Sequence, residues 1–307
     1  MVANKIVVAI CSYNAEKLLP KLLNSLIDQD CPIPFSVLIV DNNSTDNTRE
    51  LANTFAQNLK VPFKYVNEYK QGIAFARNRA IEESLSYKYL AFIDTDELPY
   101  KNWLKTAVRS LIDKKVDCVG GKITISLPHR PNWLSDDLLS FYGELNHSKH
   151  PFNIYDKSTP VWSGNIAYNT SIFQDRLRFD VRYNRKGKGI GGGEDEIMFQ
   201  YLLQNNHTIA YEPEMEVLHL ITGEKVKRLY FLKLHYLAGK NTGLYAINPA
   251  EKKILGVPRF MYMQLLMHIY QSIYLYFLDP RIFMRKAMTL THQIGMMVGA
   301  YIANKSS

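Results

Sequence analysis

The sequence predicts an α/β fold: a mostly parallel sheet flanked by helices, with a C-terminal helical extension. Three observations lead there. Over residues 1–120, short apolar runs alternate with stretches of helical apolar spacing, the pattern of strand-helix-strand crossovers. At 47% apolar and 21% charged over 307 residues, the chain can bury a large core and is far from a disordered composition. From about residue 221, strand-like runs give way to helical patterns rich in Leu, Met and Tyr.

The first strand is expected at 6–11, IVVAIC. Its six apolar residues are too few for a signal-peptide core and no small-residue cleavage site follows, so the run is read as structure. Leu18, Leu19, Leu22, Leu23 and Leu26 then recur at helical spacing. Residues 37–40 are continuously apolar and β-branched, as a strand covered on both faces should be. Ser44 or Asp46 can cap a helix running through Ala56. Strands at 63–66 and 89–93 complete the parallel set. Residues 126–160, rich in Pro, His and aromatics with weak periodicity, are expected to make a long excursion over the sheet. Phe179 to Tyr183 alternates apolar and charged residues like a half-exposed strand, residues 197–203 read as an amphipathic helix, and 212–220 reads as a further strand.

Cys11, Cys31 and Cys118 are odd in number and lack C-x-x-C or Cys/His metal spacing. A structural zinc site is excluded, and a reducing compartment, the cytoplasm, is expected. Charge is distributed unevenly. Residues 1–220 carry 25 Lys and Arg against 26 Asp and Glu, whereas 221–307 carry 12 against 3. A nucleic-acid-binding fold would hold its excess charge on the recognition surface itself. Nucleic acid is therefore not expected as a partner; the basic tail points to its own anionic partner, with a membrane surface leading. The expected division is 1–220 and 221–307.

Ligands of open parallel sheets bind beyond the carboxyl ends of the strands. Here those ends are polar: Ser12, Tyr13 and Asn14 after the first strand, Asp41 to Asp46 after the second, Gly72 and Arg77 beyond the third, Asp94, Thr95 and Asp96 after the fourth. Two carboxylates at i and i+2 after a buried strand need a cationic partner, and hard oxygen ligands suit Mg²⁺ or Mn²⁺ beside a diphosphate. The bland alternative is a solvated turn with Asp96 as a helix cap. Glu194, Asp195 and Glu196 follow a glycine run and open a helix, where the dipole favours ionised acids; they can equally be simple helix stabilisers. Residues 187–192 fit G-x-G-x-x-G but follow no buried parallel strand and precede acids that would repel a pyrophosphate, so a dinucleotide site is rejected. With Arg182, Arg185, Lys186 and Lys188, that loop is read either as a closure over a phosphorylated ligand or as a solvated basic loop.

The stretches CSYNAE (11–16), VDNNSTDNT (40–48), QGIAFARN (71–78), IDTDE (93–97), WSGNIAY (162–168), GGEDEI (192–197) and VLH (217–219) occur in an order that resembles glycosyltransferase family 2. The resemblance implies the GT-A (Rossmann-like) fold and an inverting, metal-dependent transfer of a sugar from a nucleotide-sugar donor, UDP-linked by expectation. The acceptor would be a glycan or lipid-linked hydroxyl in cell-surface or extracellular polysaccharide synthesis. It also implies roles. Ser12, Tyr13, Asn14 and Glu16 would form the nucleotide-sugar site with Asp41, Asn43 and Ser44, Tyr13 flanking the base and Asp41 accepting from its edge. Gly72 and Arg77 would join them, Arg77 meeting the donor's negative charge, as would Asp94 on the ribose side and Thr95. Asp96 would bind the divalent cation, Mn²⁺ or Mg²⁺. His219 would complete the metal or diphosphate site or be structural. Asp195 would be the base, Glu194 would orient the acceptor, and Trp162, Gly164 and Asn165 would face it, with Trp133 as a possible second platform or core residue. A sugar-nucleotide pyrophosphorylase shares such a sheet but needs a Gly-rich loop where this chain has SYNAE; a catalytically silent sugar-nucleotide or glycan-binding protein is the alternative of another class.

In the tail, residues 260–278 form an uncharged stretch of 19, near the length of a membrane span. Gln264, His268, Gln271 and Ser272 make a polar stripe along it, which favours a helix lying in a bilayer interface or packing on protein over a span. A second stretch, 287–303, carries Gly295-x-x-x-Gly299 interrupted by polar residues, a weak membrane motif. An anionic membrane surface engaged through 255–303 is the expected partner, placing the protein peripherally at the inner face of the plasma membrane.

Overall fold

The computed structural model describes residues 3–57, 61–184, 193–245 and 252–306. The chain divides into two compact units, one of residues 1–126 and 140–220, the other of 127–139 and 221–307.

In the first unit the elements run β1 (Ala3–Ser12), α1 (Leu19–Ile27), β2 (Phe35–Asp41), α2 (Thr48–Ala56), β3 (Phe63–Asn67), α3 (Ile73–Ser84), β4 (Tyr87–Asp94), β5 (Glu97–Pro99), α4 (Trp103–Asp113), β6 (Cys118–Ser126), β7 (Phe152–Ile154), β8 (Asn165–Asn169), α5 (Glu194–Gln204) and β9 (Ile209–Leu220). Nine strands among the described residues form one sheet in the order β3-β2-β1-β4-β8-β6-β9-β5, with β7 on β9. The first four pair in parallel, β8 is antiparallel to both its neighbours, and β6 and β9 are parallel again. This is the mostly parallel, helix-flanked sheet the sequence predicts. Both faces are covered. Leu19, Leu22, Leu23 and Leu26 of α1 are fully buried with Ile6, Val8 and Ile10 of β1, while Val7 and Ala9 face α3 residues Ala76 and Ala80 on the other side. Alternate residues of one strand thus feed two separate cores, which is why β1 is apolar throughout.

Two local expectations need correction. Phe179 to Tyr183 is not a half-exposed strand: residues Val181–Tyr183 form a 3₁₀ turn, started by the Asp180 carboxylate accepting from Arg182 N at 2.9 Å. The alternation came from a turn with a buried Phe179 and a solvated Arg182. The segment 126–160 is not one excursion over the sheet, because 127–139 belongs to the second unit. There Trp133 is buried edge-on against Phe231, with ring centroids 5.3 Å apart, so it is a core residue and no sugar platform.

The second unit contains α6 (Arg228–Tyr245), a short hairpin of β10 (Lys253–Ile254) and β11 (Val257–Pro258), α7 (Arg259–Tyr276) and α8 (Pro280–Ser306). Helices α6 and α8 pack backbone to backbone. A Cβ on Gly243 would stand 2.1 Å from Met296 O, and one on Gly295 2.1 Å from Tyr236 O. Gly295-x-x-x-Gly299 therefore faces Gly239-x-x-x-Gly243 as a helix-helix seam within the unit. Among the described residues no helix is long and apolar enough to cross a membrane.

Candidate active site

The parallel register levels the carboxyl ends of the first four strands. Ser12 lies beside Asp41, Asp41 beside Asn67, and Cys11 beside Asp94. A cleft of about 250 Å³ opens at this edge, lined by Ser12, Tyr13, Asn14, Asn42, Asp94, Thr95 and Asp96 among others. Cys11, Cys31 and Cys118 are free thiols; burial pushes Cys11, under the cleft, up to about 12, so it is inert there.

The loops after β1 and β2 are laced together. Asn14 N donates to Ser44 Oγ at 2.9 Å, Thr45 N donates to Asn14 Oδ1 at 2.8 Å, and Asn47 N donates to Glu16 Oε2 at 3.3 Å. Asn14 and Asn43 adopt left-handed backbone, φ 48° and 65°, which asparagine tolerates. Asp46 does not occupy the N-cap position of α2, which is Asn47; its carboxylate accepts from Thr48 N, two residues on, at 3.1 Å. Asp41 is buried. One of its oxygens accepts from Ser44 N at 3.1 Å and from the Ser44 hydroxyl, the other from Tyr65 OH at 2.6 Å. Both oxygens of the carboxylate expected at the base edge are therefore engaged by the chain's own donors.

Gly72 starts α3 at φ 138°, a conformation side chains rarely adopt, and a Cβ there would stand 1.8 Å from the Asn184 amide. Asn42 fixes this turn, accepting from Gly72 N at 2.6 Å and donating to Lys70 O at 2.8 Å. One turn of helix later comes Arg77, which is 2% exposed. The resemblance implied that its charge would meet the donor; here it is held by the chain's own carboxylates. Nη1 donates to Glu194 Oε1 at 2.8 Å and Asp195 Oδ1 at 2.5 Å, and Nη2 lies 3.5 Å from Asp94 Oδ1. A buried guanidinium on α3 thus ties the end of β4 to the start of α5, its partner Glu194 lying 117 residues along the chain.

Desolvation raises Asp195 to about 6, reinforced by Glu194 and Asp94 and opposed by Arg77 and a hydrogen bond from Ser163. A carboxylate tuned to that range is a serviceable base near neutral pH.

The turn after β4 carries the aspartates. Leu220 N donates to Asp96 O at 2.7 Å, and β5 pairs antiparallel with β9 so that Glu97 stands opposite His219. This pairing brings His219 Nε2 to 3.2 Å from Asp96 Oδ2. The nitrogen is buried without a hydrogen bond of acceptable angle. A carboxylate beside an imidazole nitrogen left without a hydrogen bond is a donor pair that suits a divalent cation. Among the described residues no group of three or more His, Cys, Asp or Glu stands at ligand spacing, so a cation there would need further ligands from what it binds. Behind the turn, Glu97 is 3% exposed; burial and the charges of Asp94 and Asp96 push it well above the usual carboxylate range.

Of the acceptor-side residues, Trp162 is half-buried and packs against the core on the α1 side of the sheet. Gly164 is required by its neighbour, since a Cβ would stand 2.7 Å from Glu97 Oε1. Asn165 needs correction: at 1% exposure it donates to Met215 O at 2.8 Å and Lys122 O at 2.9 Å and accepts from Trp103 Nε1 at 2.7 Å. Its amide joins β8, β6, β9 and α4 and offers nothing to a sugar. Residues 185–192, with the expected basic loop and glycine run, lie outside the described residues; Arg182, next to them, is ion-paired with Asp180 at 2.5 Å. Asn42, Glu97 and Ser163 lie inside the quoted motifs but were given no role of their own. Each stands one residue from one that was singled out, and only burial marks them.

The family model described as glycosyl transferase family 2 matches residues 7–177. Glycosyltransferase AglE of Haloferax volcanii is 36% identical over 121 residues, 38% of each chain. Succinoglycan biosynthesis protein ExoM of Rhizobium meliloti is 24% identical over 244 residues, 77% of this chain and 73% of that one. This chain spans well under two thirds of several such relatives, 38% of AglE and 18% of Staphylococcus aureus TarS. Among solved structures, S. aureus TarS 1–349 in complex with UDP superposes with a TM-score of 0.56 at 18% identity, covering 95% of this chain and 90% of that one. The mannosyltransferase PcManGT of Pyrobaculum calidifontis, in complex with GDP-Man and Mn²⁺, gives 0.57 at 16% identity, covering 96% and 72%. These structural likenesses carry the GT-A fold. The family match takes in more than half of the 307 residues, and the chain belongs to glycosyl transferase family 2.

Proposed function

We propose that this protein is an inverting glycosyltransferase that moves a sugar from a nucleotide-diphosphate donor to a hydroxyl of a glycan or lipid-linked acceptor in cell-surface polysaccharide synthesis. The observation that carries the reading is the Arg77 cluster: one buried cation holds Asp94, on the donor side of the cleft, and Asp195, at the start of α5, in a single constellation. Relatives named for surface polymers, such as TarS, ExoM and the putative teichuronic acid biosynthesis glycosyltransferase TuaG of Bacillus subtilis, support the acceptor class. TarS has been solved with UDP-GlcNAc, which favours a UDP-linked donor.

In this reading Tyr13 and the laced loops of Asn14, Glu16, Asn43 and Ser44 hold the nucleoside. Asp41, engaged from within, supports that wall and meets the base only through its remaining lone pairs. Asp94 and Thr95 face the ribose and diphosphate. Asp96 and His219 would hold Mn²⁺ or Mg²⁺, which when bound supplies positive charge to the diphosphate. Asp195 takes the proton of the acceptor hydroxyl as its oxygen attacks the anomeric carbon; the bond to the diphosphate oxygen breaks on the opposite face, and the nucleotide leaves with the electron pair. Glu194 and Arg77 hold Asp195 in place, and Trp162 flanks the acceptor side.

Asp195→Asn tests the assignment. It keeps shape while removing the base, so turnover should fall roughly 10²–10⁴-fold with donor affinity, read by calorimetry, unchanged. Turnover that survives removes Asp195 as the base; loss of donor binding as well would make it a binding residue.

A further inference from the structure

Helix α7 is inverted relative to an ordinary surface helix, which buries its apolar stripe and shows polar residues to water. Its buried side chains are Met261 and Ser272, and His268 and Gln271 on the same side are half-buried. Met263, Leu266, Tyr270, Ile273, Tyr274 and Phe277 are exposed instead, Met263 by 70%, Tyr270 by 71% and Phe277 by 80%. Spacings of three and four residues place all six on one face. Soluble proteins seldom leave a continuous apolar strip of this length uncovered.

We infer that this face of α7 lies in the interface of an anionic lipid surface. Charge identifies the occupant. Lys252, Lys253 and Arg259 stand at the start of α7, and Arg281, Arg285 and Lys286 follow its end, against Glu251 and Asp279. Arg281 also donates to Asn132 O at 3.1 Å, and Arg285 pairs with Asp137; the other four basic residues have no ion pair among the described residues. An apolar strip rich in Tyr, with cations at both ends, matches acyl chains at its centre and phosphate headgroups at its margins. A second copy fits less well. Pairing two α7 faces, parallel or antiparallel, would set basic ends against basic ends. The half-buried polar side and the limited apolar length argue against a span. This inference stands apart from the transfer reaction and does not need it.

Sedimentation of the full-length protein with vesicles tests it. The protein should pellet with phosphatidylcholine–phosphatidylglycerol vesicles at low salt and much less with pure phosphatidylcholine. Leu266→Glu with Ile273→Glu, both at exposed positions, should lower the partition coefficient at least about tenfold. Lys252→Ala, Lys253→Ala and Arg259→Ala together should weaken binding to the anionic vesicles only, by about tenfold or more, an effect that salt erases. If the glutamates lower the melting temperature, Met263→Ser with Tyr270→Ser gives the same readout. Failure to pellet, or pelleting indifferent to these changes, overturns the proposal. So does a dimer in sedimentation equilibrium that the glutamates dissolve without any vesicle binding, which would assign the face to a second copy.

Discussion

Arg77 sets the electrostatics of the site because it is buried with three carboxylates and cannot lose its proton. Burial pushes Asp195 up, the positive charge of Arg77 keeps it from rising as far as burial alone would take it, and the carboxyl settles at about 6. That value lies above the ordinary 3.8. Ionising Asp195 therefore subtracts stability from the fold as pH rises from near 4 through about 6, the reverse of the usual salt-bridged acid. In the proposed function the same ionisation creates the base. We expect kcat to climb with a single limb of apparent pKa about 6, measured between pH 4.5 and 8 with donor saturating; a flat profile would mean that Asp195 does not move the proton. Little of this was legible beforehand. The motif around Arg77 marks it as functional but says nothing of partners 117 residues away, and Asn165 carries the same kind of motif for a purely structural reason. A sequence shows which residues are polar; it does not show whose hydrogen bonds they have already spent.

At the scale of elements, legibility followed locality. The four parallel strands and their helices declare themselves because each crossover is contiguous, with its own period and turn. Strands β5, β7 and β8 are three to five residues long and find partners far along the chain, so nothing near them signals pairing. Yet β5 is what delivers His219 to Asp96. In the second unit Gly295-x-x-x-Gly299 was legible only as a weak membrane motif, whereas with Gly239 and Gly243 it closes a helix-helix seam with no room for a side chain. Gly243→Leu should force that seam apart and cost about 1–3 kcal/mol, read as a lower midpoint in urea. Gly223→Ala, where a Cβ meets nothing within 4 Å, should stay within about 0.5 kcal/mol and serves as the control. Equal effects would mean that the seam does not hold the unit together.

At the scale of the whole molecule, the chain divides into two compact units, and its charge is nearly balanced over 1–220 and strongly basic over 221–307. The sequence marked the boundary near 220 through charge and periodicity. The capture of 127–139 by the second unit was hidden, because Trp133 and Arg130 read as loop until Phe231 and α8 are seen beside them. We propose that donor chemistry belongs to the first unit alone and that the two compact units unfold separately, which gives this a thermodynamic signature. Ligand binding stabilises only what it binds, by RT ln(1 + [L]/Kd), about 2.7 kcal/mol at a hundredfold excess over Kd. Calorimetry of the full chain should resolve two transitions. UDP with Mn²⁺ should raise one of them and UDP without metal should raise it far less, if Asp96 and His219 hold the cation that meets the diphosphate charge as proposed. Gly243→Leu should lower the other transition and leave the nucleotide response intact. A single transition shifted by both perturbations would show the units folding as one, and a nucleotide response independent of metal would take Asp96 and His219 out of the donor site.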